Sequence, residues 1–253
     1  MSGHSKWSTI KRKKGALDAK RGKLFTRLGR EITIAAREGG GGNPDMNPRL
    51  RLAVQKAKAS SMPKENIDRA IARGTGGGDD GVVMEELTYE GYAPHGVAVL
   101  IDVLTDNRNR TISQIRAAFT RSNGSLGSEG AVSWQFDRKG YVEVTAEGVD
   151  SDELFLVAAD AGADDVVPGE ETITVYTPRE LLRPVETALA EHGYPVTDSG
   201  LSWVAKNEMD LDKDAGVQVM GLLEKLEELD DVQNVASNLS ISEEMAKALE
   251  AES

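Results

Sequence analysis

Gly74-Thr75-Gly76-Gly77-Gly78-Asp79-Asp80-Gly81 divides the 253-residue chain, and the contrast between its two sides decides the fold. With five glycines in eight residues it offers almost nothing to bury and a permissive backbone, so it reads as a flexible linker. A phosphate-cradling loop would need a closing Lys-Ser/Thr and a preceding strand, and Asp79 and Asp80 would repel phosphate. The charge changes sign at this point. Residues 1–78 hold 18 Lys or Arg against 6 Asp or Glu, whereas residues 79–253 hold 12 against 36, within an overall charge of −12. Such asymmetry assigns separate electrostatic work to the two parts: a basic part for a polyanion and an acidic body that limits indiscriminate adhesion.

Upstream of the linker the pattern is helical. Leu17, Leu24, Leu28, Ile32 and Ala35, widened by Phe25 and Ala36, recur at helical spacing over 17–38 and mark one buried face. Lys20, Lys23, Arg27, Arg30 and Arg37 line another face as a basic ridge, with Arg21 beside it. Asn47-Pro48 caps and starts a second helix, to about Ser60. Ser61 and Pro63 open a third, with Ile67, Ala70 and Ile71 inward, Lys64 in its first turn, and Arg73-Gly74 closing it as a terminal cation and left-handed cap. Three short helices make a small bundle. A helix-turn-helix is the competing reading of the second and third helices, but 60–63 lacks its turn signature.

Ahead of the bundle, His4, Lys6, Trp7, Lys11, Arg12, Lys13 and Lys14 form a basic arm with a single aromatic. Cations can contact phosphate and an exposed indole can stack on a base, so the arm suits nucleic acid. Trp7 folded back onto the first helix, or a remnant of an organelle transit peptide, are the alternatives.

Downstream, the pattern alternates. Strands are expected at 85–92, 97–104 and 131–136, with a helix at 111–121 between the last two. Residues 140–205 give a βαββαβ order: strands at 141–145, 164–167, 172–176 and 201–205, helices at 152–161 and 179–192. An acidic helix at 213–229 and an extended 232–241 supply the elements the first sheet lacks. The expected architecture is therefore multidomain α+β: a three-helix domain (1–78), then two ferredoxin-like α+β domains, one discontinuous (79–137 with 208–253) and one inserted (138–207).

The composition narrows function. The chain has no cysteine, which removes disulfides and thiolate chemistry and suits a reducing compartment, with the cytosol as default. No apolar run approaches a membrane span. Glu90, His95, Asp102 and Asp106 could hold a metal or serve a hydrolase, yet no catalytic or metal-binding motif organises them, and no catalysis or cofactor is expected. Asn107-Arg108-Asn109-Arg110, between a strand and a helix, offers a secondary phosphate site; capping and ion pairing are its structural alternative. An acidic adaptor that binds a basic partner is a further possibility.

Several stretches resemble the YebC/PmpR family: Gly3-His-Ser-Lys-Trp7, residues 13–23, Met62-Pro-Lys-Glu-Asn-Ile67, Arg73-Gly-Thr-Gly76, Tyr89-Glu-Gly-Tyr92 and Thr105-Asp-Asn-Arg-Asn-Arg-Thr111. The resemblance runs the length of the chain and implies a three-helix domain followed by two α+β domains. Members are labelled cytoplasmic DNA-binding transcriptional regulators, while others, among them the mitochondrial translational activator of cytochrome c oxidase, resemble ribosome-associated factors that ease difficult stretches of translation. The implied partner is promoter DNA, or ribosomal or transfer RNA on the ribosome; a monomer is the default state. At 93–96 this chain reads Ala-Pro-His-Gly where the family more often has glycines.

Overall fold

The computed structural model describes residues 17–38, 41–76 and 84–251. Among them are eight α-helices and two four-stranded antiparallel sheets, an α+β architecture.

The helical unit comprises α1 (Leu17–Glu38), α2 (Pro48–Ala59) and α3 (Lys64–Gly74). Leu28, Ile32, Ala35 and Ala36 of α1 pack on Leu50, Ala53, Val54 and Ala57 of α2 and on Ile67 and Ala70 of α3. Asn47 is fully buried and makes the α1–α2 corner. Its Oδ1 accepts from the Leu50 amide at 3.0 Å, while its Nδ2 donates to the carbonyls of Ala35 (2.7 Å) and Gly41 (3.0 Å). One side chain thus satisfies orphaned groups at both helix ends.

The third helix differs locally from the sequence expectation. Pro63 is its N-cap without a side-chain bond, and Ser61 takes a left-handed φ of 59°. At the other end the left-handed residue is Gly76, φ 83°, not Gly74. Gly74 is helical and serves close packing, because a Cβ there would stand 2.2 Å from the Thr33 carbonyl oxygen and 2.8 Å from Ala36 Cβ.

The first sheet is ordered β3-β1-β2-β8, from β1 (Glu85–Tyr92), β2 (Ala98–Thr105), β3 (Ser125–Leu126) and β8 (Val232–Ser237), with α4 (Arg108–Arg121), α7 (Lys213–Glu227) and α8 (Glu243–Ala251). The helix α8 falls where sequence patterning gave nothing. In β2, Val99, Ile101 and Val103 face Ile115, Phe119 and the α7 leucines, while Ala98 and Leu100 pack with Val132, Phe136 and Ala236. Burial on both faces explains the unbroken apolar run at 97–101.

The second sheet is ordered β5-β6-β4-β7, from β4 (Phe136–Thr145), β5 (Asp165–Val167), β6 (Thr172–Pro178) and β7 (Val196–Ala205), covered by α5 (Ser151–Asp160) and α6 (Leu182–Glu191). With its helices it follows the βαββαβ order of a ferredoxin-like sheet.

The expected strand at 131–136 is absent up to Gln135, where a 3-10 turn over Ser133–Gln135 takes its place, and Phe136 opens β4. Its amides are taken by a carboxylate: Glu90 accepts from Gly130 (2.8 Å), Val132 (2.7 Å) and Ser133 (2.9 Å). A ladder cannot form where its donors are already used. Burial opposes the charge on Glu90, but the three amides outweigh it and hold the carboxyl below its ordinary value.

Candidate nucleic-acid interface

The α1 and α3 helices cross closely at Gly74, and the groove between them opens toward the first sheet. Thr26, Gly29, Arg30 and Thr33 of α1 line one wall; Asn66, Arg69, Ala70 and Arg73 of α3 line the other. Met84 and Asp106 close the end, giving a cleft of about 410 Å³. Asn66, Arg69 and Arg73 follow i, i+3, i+7, which sets them on one face of α3. Neither Arg69 nor Arg73 forms an ion pair among the described residues, and both are exposed at the rim. Asp106 is held by Arg110 at 2.6 Å, which offsets the one acid in the lining.

The ridge residues separate into different roles. Arg27 is half-buried and Arg37 exposed, both without ion pairs among the described residues. Arg30 is no free ridge cation: its guanidinium bonds the Asp230 carbonyl and pairs with the Asp231 carboxylate at 2.6 Å, across to the first α+β unit. The helical face brings Arg30 to the domain junction, where a buried acid claims it. Lys64 is exposed at the start of α3. The arm residues His4, Lys6, Trp7, Lys11, Arg12, Lys13 and Lys14, and the side chains of Lys20, Arg21 and Lys23, lie outside the described residues. Asn66 and Arg69 were missed as site residues, although their spacing to Arg73 was available in the sequence.

The 107–110 cluster is partly committed to structure. Asn107 caps α4 by accepting from the Arg110 amide at 3.0 Å, and Arg110 pairs with Asp106 and Asp231. Arg108 and Asn109 remain exposed. Asp231, 1% exposed, collects Arg30, Arg110, the Thr111 hydroxyl (2.6 Å) and the Thr105 hydroxyl (3.2 Å). Burial opposes its charge, but the Thr111 and Arg110 hydrogen bonds and the nearby Arg30 outweigh it, so it titrates below the ordinary carboxylate.

The carboxylates considered for hydrolysis have structural partners. Asp102 accepts from Thr88 Oγ1 (2.9 Å) and Trp203 Nε1 (3.0 Å) and pairs with Arg138 (2.7 Å), whose guanidinium stacks 4.7 Å from the Trp203 ring centroid. That knot ties the two sheets together. His95 Nε2 meets Gln218 Oε1 at 3.1 Å, and Glu90 is enclosed by amides. No group of three or more His, Asp or Glu able to hold a metal occurs among the described residues. A third junction joins Lys56 of α2 to Asp198 of β7 at 3.3 Å, with the Tyr141 hydroxyl on the same carboxylate at 3.0 Å. No described helix is long and apolar enough to cross a membrane.

Comparison with known proteins places this arrangement. Residues 5–77 match the N-terminal domain model of TACO1/YebC proteins, and residues 84–239 match the model of their second and third domains. The chain is 52% identical over 248 residues to a probable transcriptional regulatory protein of Herpetosiphon aurantiacus, covering 98% of each. It is 53% identical over 250 residues to one of Desulfotalea psychrophila, covering 98% of this chain and 99% of that one. The crystal structure of a conserved hypothetical protein from Aquifex aeolicus superposes with a TM-score of 0.84 at 48% identity, covering 89% of this chain and 93% of that one. With both models matched in order and half of all residues shared along the full length of such relatives, the chain belongs to the TACO1/YebC family.

Proposed function

We propose that this protein regulates gene expression by binding nucleic acid through the phosphates, without catalysing a reaction, and that its target is structured RNA in preference to duplex DNA. The observation that carries the reading is the α1–α3 cleft, where Arg69 and Arg73 stand exposed beside Asn66 without acidic partners among the described residues. Planar guanidiniums with an amide neighbour suit phosphate oxygens. The basic arm from His4 to Lys14, the cations Lys20, Arg21, Lys23, Arg27, Arg37 and Lys64, and Arg108 with Asn109 are the further contacts of this reading.

The preference for RNA rests on shape. The cationic face of α3 turns into a recess walled by α1 and the first sheet, and Glu65 and Asp68 occupy other exposed positions of the same helix. A helix that reads a major groove must protrude and present base-reading side chains. A recessed phosphate grip with a basic segment carrying one Trp ahead of it in the sequence fits unpaired or irregular strands. The names of the relatives point to transcription and hence to DNA, which makes the comparison of polymers the natural test. Titration of the full chain against a folded RNA and a duplex of equal charge should show tighter binding to RNA. It should also show a decline in affinity of about a thousandfold between 50 and 200 mM salt for about six phosphate contacts. Tighter, sequence-dependent binding to the duplex in the presence of competitor RNA would overturn the RNA preference.

A further inference from the structure

A second surface lies on the acidic body, on the helix α5. The α5 helix covers the second sheet with Leu154 and Ala158, both fully buried, and packs beside α6. On its outer side Phe155 and Leu156 are 50% and 65% exposed, and Ala159 lies one turn further on. Two adjacent large apolar side chains on the solvent side of a ten-residue helix are not needed by the core beneath. Asp152 and Asp160 stand four residues before and four after Leu156, one turn to each side of the apolar pair, and Glu153 flanks it. The sequence on either side of α5 carries the same sign: residues 140–178 hold ten Asp or Glu and no Lys or Arg, while the nearby cations Lys139 and Arg183 are paired with Asp164 and Glu186.

That charge selects the occupant. A second copy of α5 would oppose carboxylates with carboxylates, and a polyanion or an anionic lipid surface would be repelled. An apolar centre with an anionic rim instead complements a helix that has apolar anchors on one side and lysines or arginines beside them. We propose that the outer face of α5 docks a basic amphipathic segment of a partner protein, with apolar anchors against Phe155, Leu156 and Ala159 and cations against Asp152, Glu153 and Asp160. The chain then offers one surface to a nucleic acid and another to a basic protein.

The test uses the full chain and a fluorescent Lys/Leu peptide of about 14 residues with its leucines on one helical face. Anisotropy should show binding that weakens by about tenfold or more in Phe155→Ser/Leu156→Ser and in Asp152→Lys/Asp160→Lys. A scrambled peptide of the same composition should bind worse than the amphipathic one. Far-UV circular dichroism of both variants should match the parent, because all four positions face solvent. Undiminished binding to Phe155→Ser/Leu156→Ser, or equal binding of the scrambled peptide, would reduce the surface to general acidity and overturn the proposal. So would a dimer in sedimentation velocity that dissociates in the serine variant, since the occupant would then be a second copy.

Discussion

Asn47 and Glu90 show how much of this fold is decided by single polar side chains that the backbone cannot do without. Asn47 bonds two carbonyls and one amide from full burial. Its replacement by Ala should destabilise the helical unit by about 2 kcal/mol, the loss of a cap plus stranded carbonyls, read as a lower denaturation midpoint with an unchanged m-value. Glu90 and Asp231 give the protein a pH dependence whose sign follows from their depressed pKa values. As pH falls, the unfolded chain takes up these protons before the folded one. Stability present at neutral pH is therefore lost progressively from about pH 5 downward. Glu90→Gln should flatten that decline in thermal melts between about pH 5 and 3, while lowering stability at pH 7, because its amide nitrogen cannot accept what the carboxylate accepts.

Elements reveal where pattern reading succeeds and where it stops. Periodicity placed α1, α2, α4, β1 and β6 to within a few residues, since each has a long apolar stripe or a clean alternation. It failed at 131–136, where the residues suit a strand but Glu90, more than forty positions away, takes the amides. It misread Gly74 as a left-handed cap because nothing in the local sequence states that α1 passes within touching distance. Gly74→Ala should force α1 and α3 apart and cost on the order of 1–3 kcal/mol. Gly76→Ala instead loads strain on an open left-handed turn without a clash, so its loss should be smaller. Equal effects in denaturant melts would contradict the packing role. Of the residues lining the cleft, Arg30 and Arg73 stand out in the sequence as candidate contacts, while Arg69 and Asn66 needed the crossing partner α1 to show that their face of α3 lines a recess.

The whole molecule is held by polar ties between residues far apart in sequence: Arg30 to Asp231, Asp102 to Arg138 and Trp203, and Lys56 to Asp198. Sequence alone suggested Arg30 for phosphate and Asp102 for chemistry, since a partner some 200 or 100 positions distant leaves no local mark. Asp231→Asn should loosen α1 against the first sheet, seen as faster amide exchange in α1 with little change in α5. The Arg30 guanidinium reaches Asp231 but still lines the cleft, so the junction and the proposed interface share one residue. An Arg30→Ala variant therefore confounds stability with binding, and the cleaner test lies on α3. The most direct measurement is RNA affinity of the full chain carrying Arg69→Ala/Arg73→Ala, at fixed salt and with its melt compared with the parent. The expected result is a loss of about ten- to a hundredfold, a shallower salt dependence by about two phosphate contacts and an unchanged melt. Parental affinity and salt slope in that variant would contradict the cleft as the nucleic-acid interface.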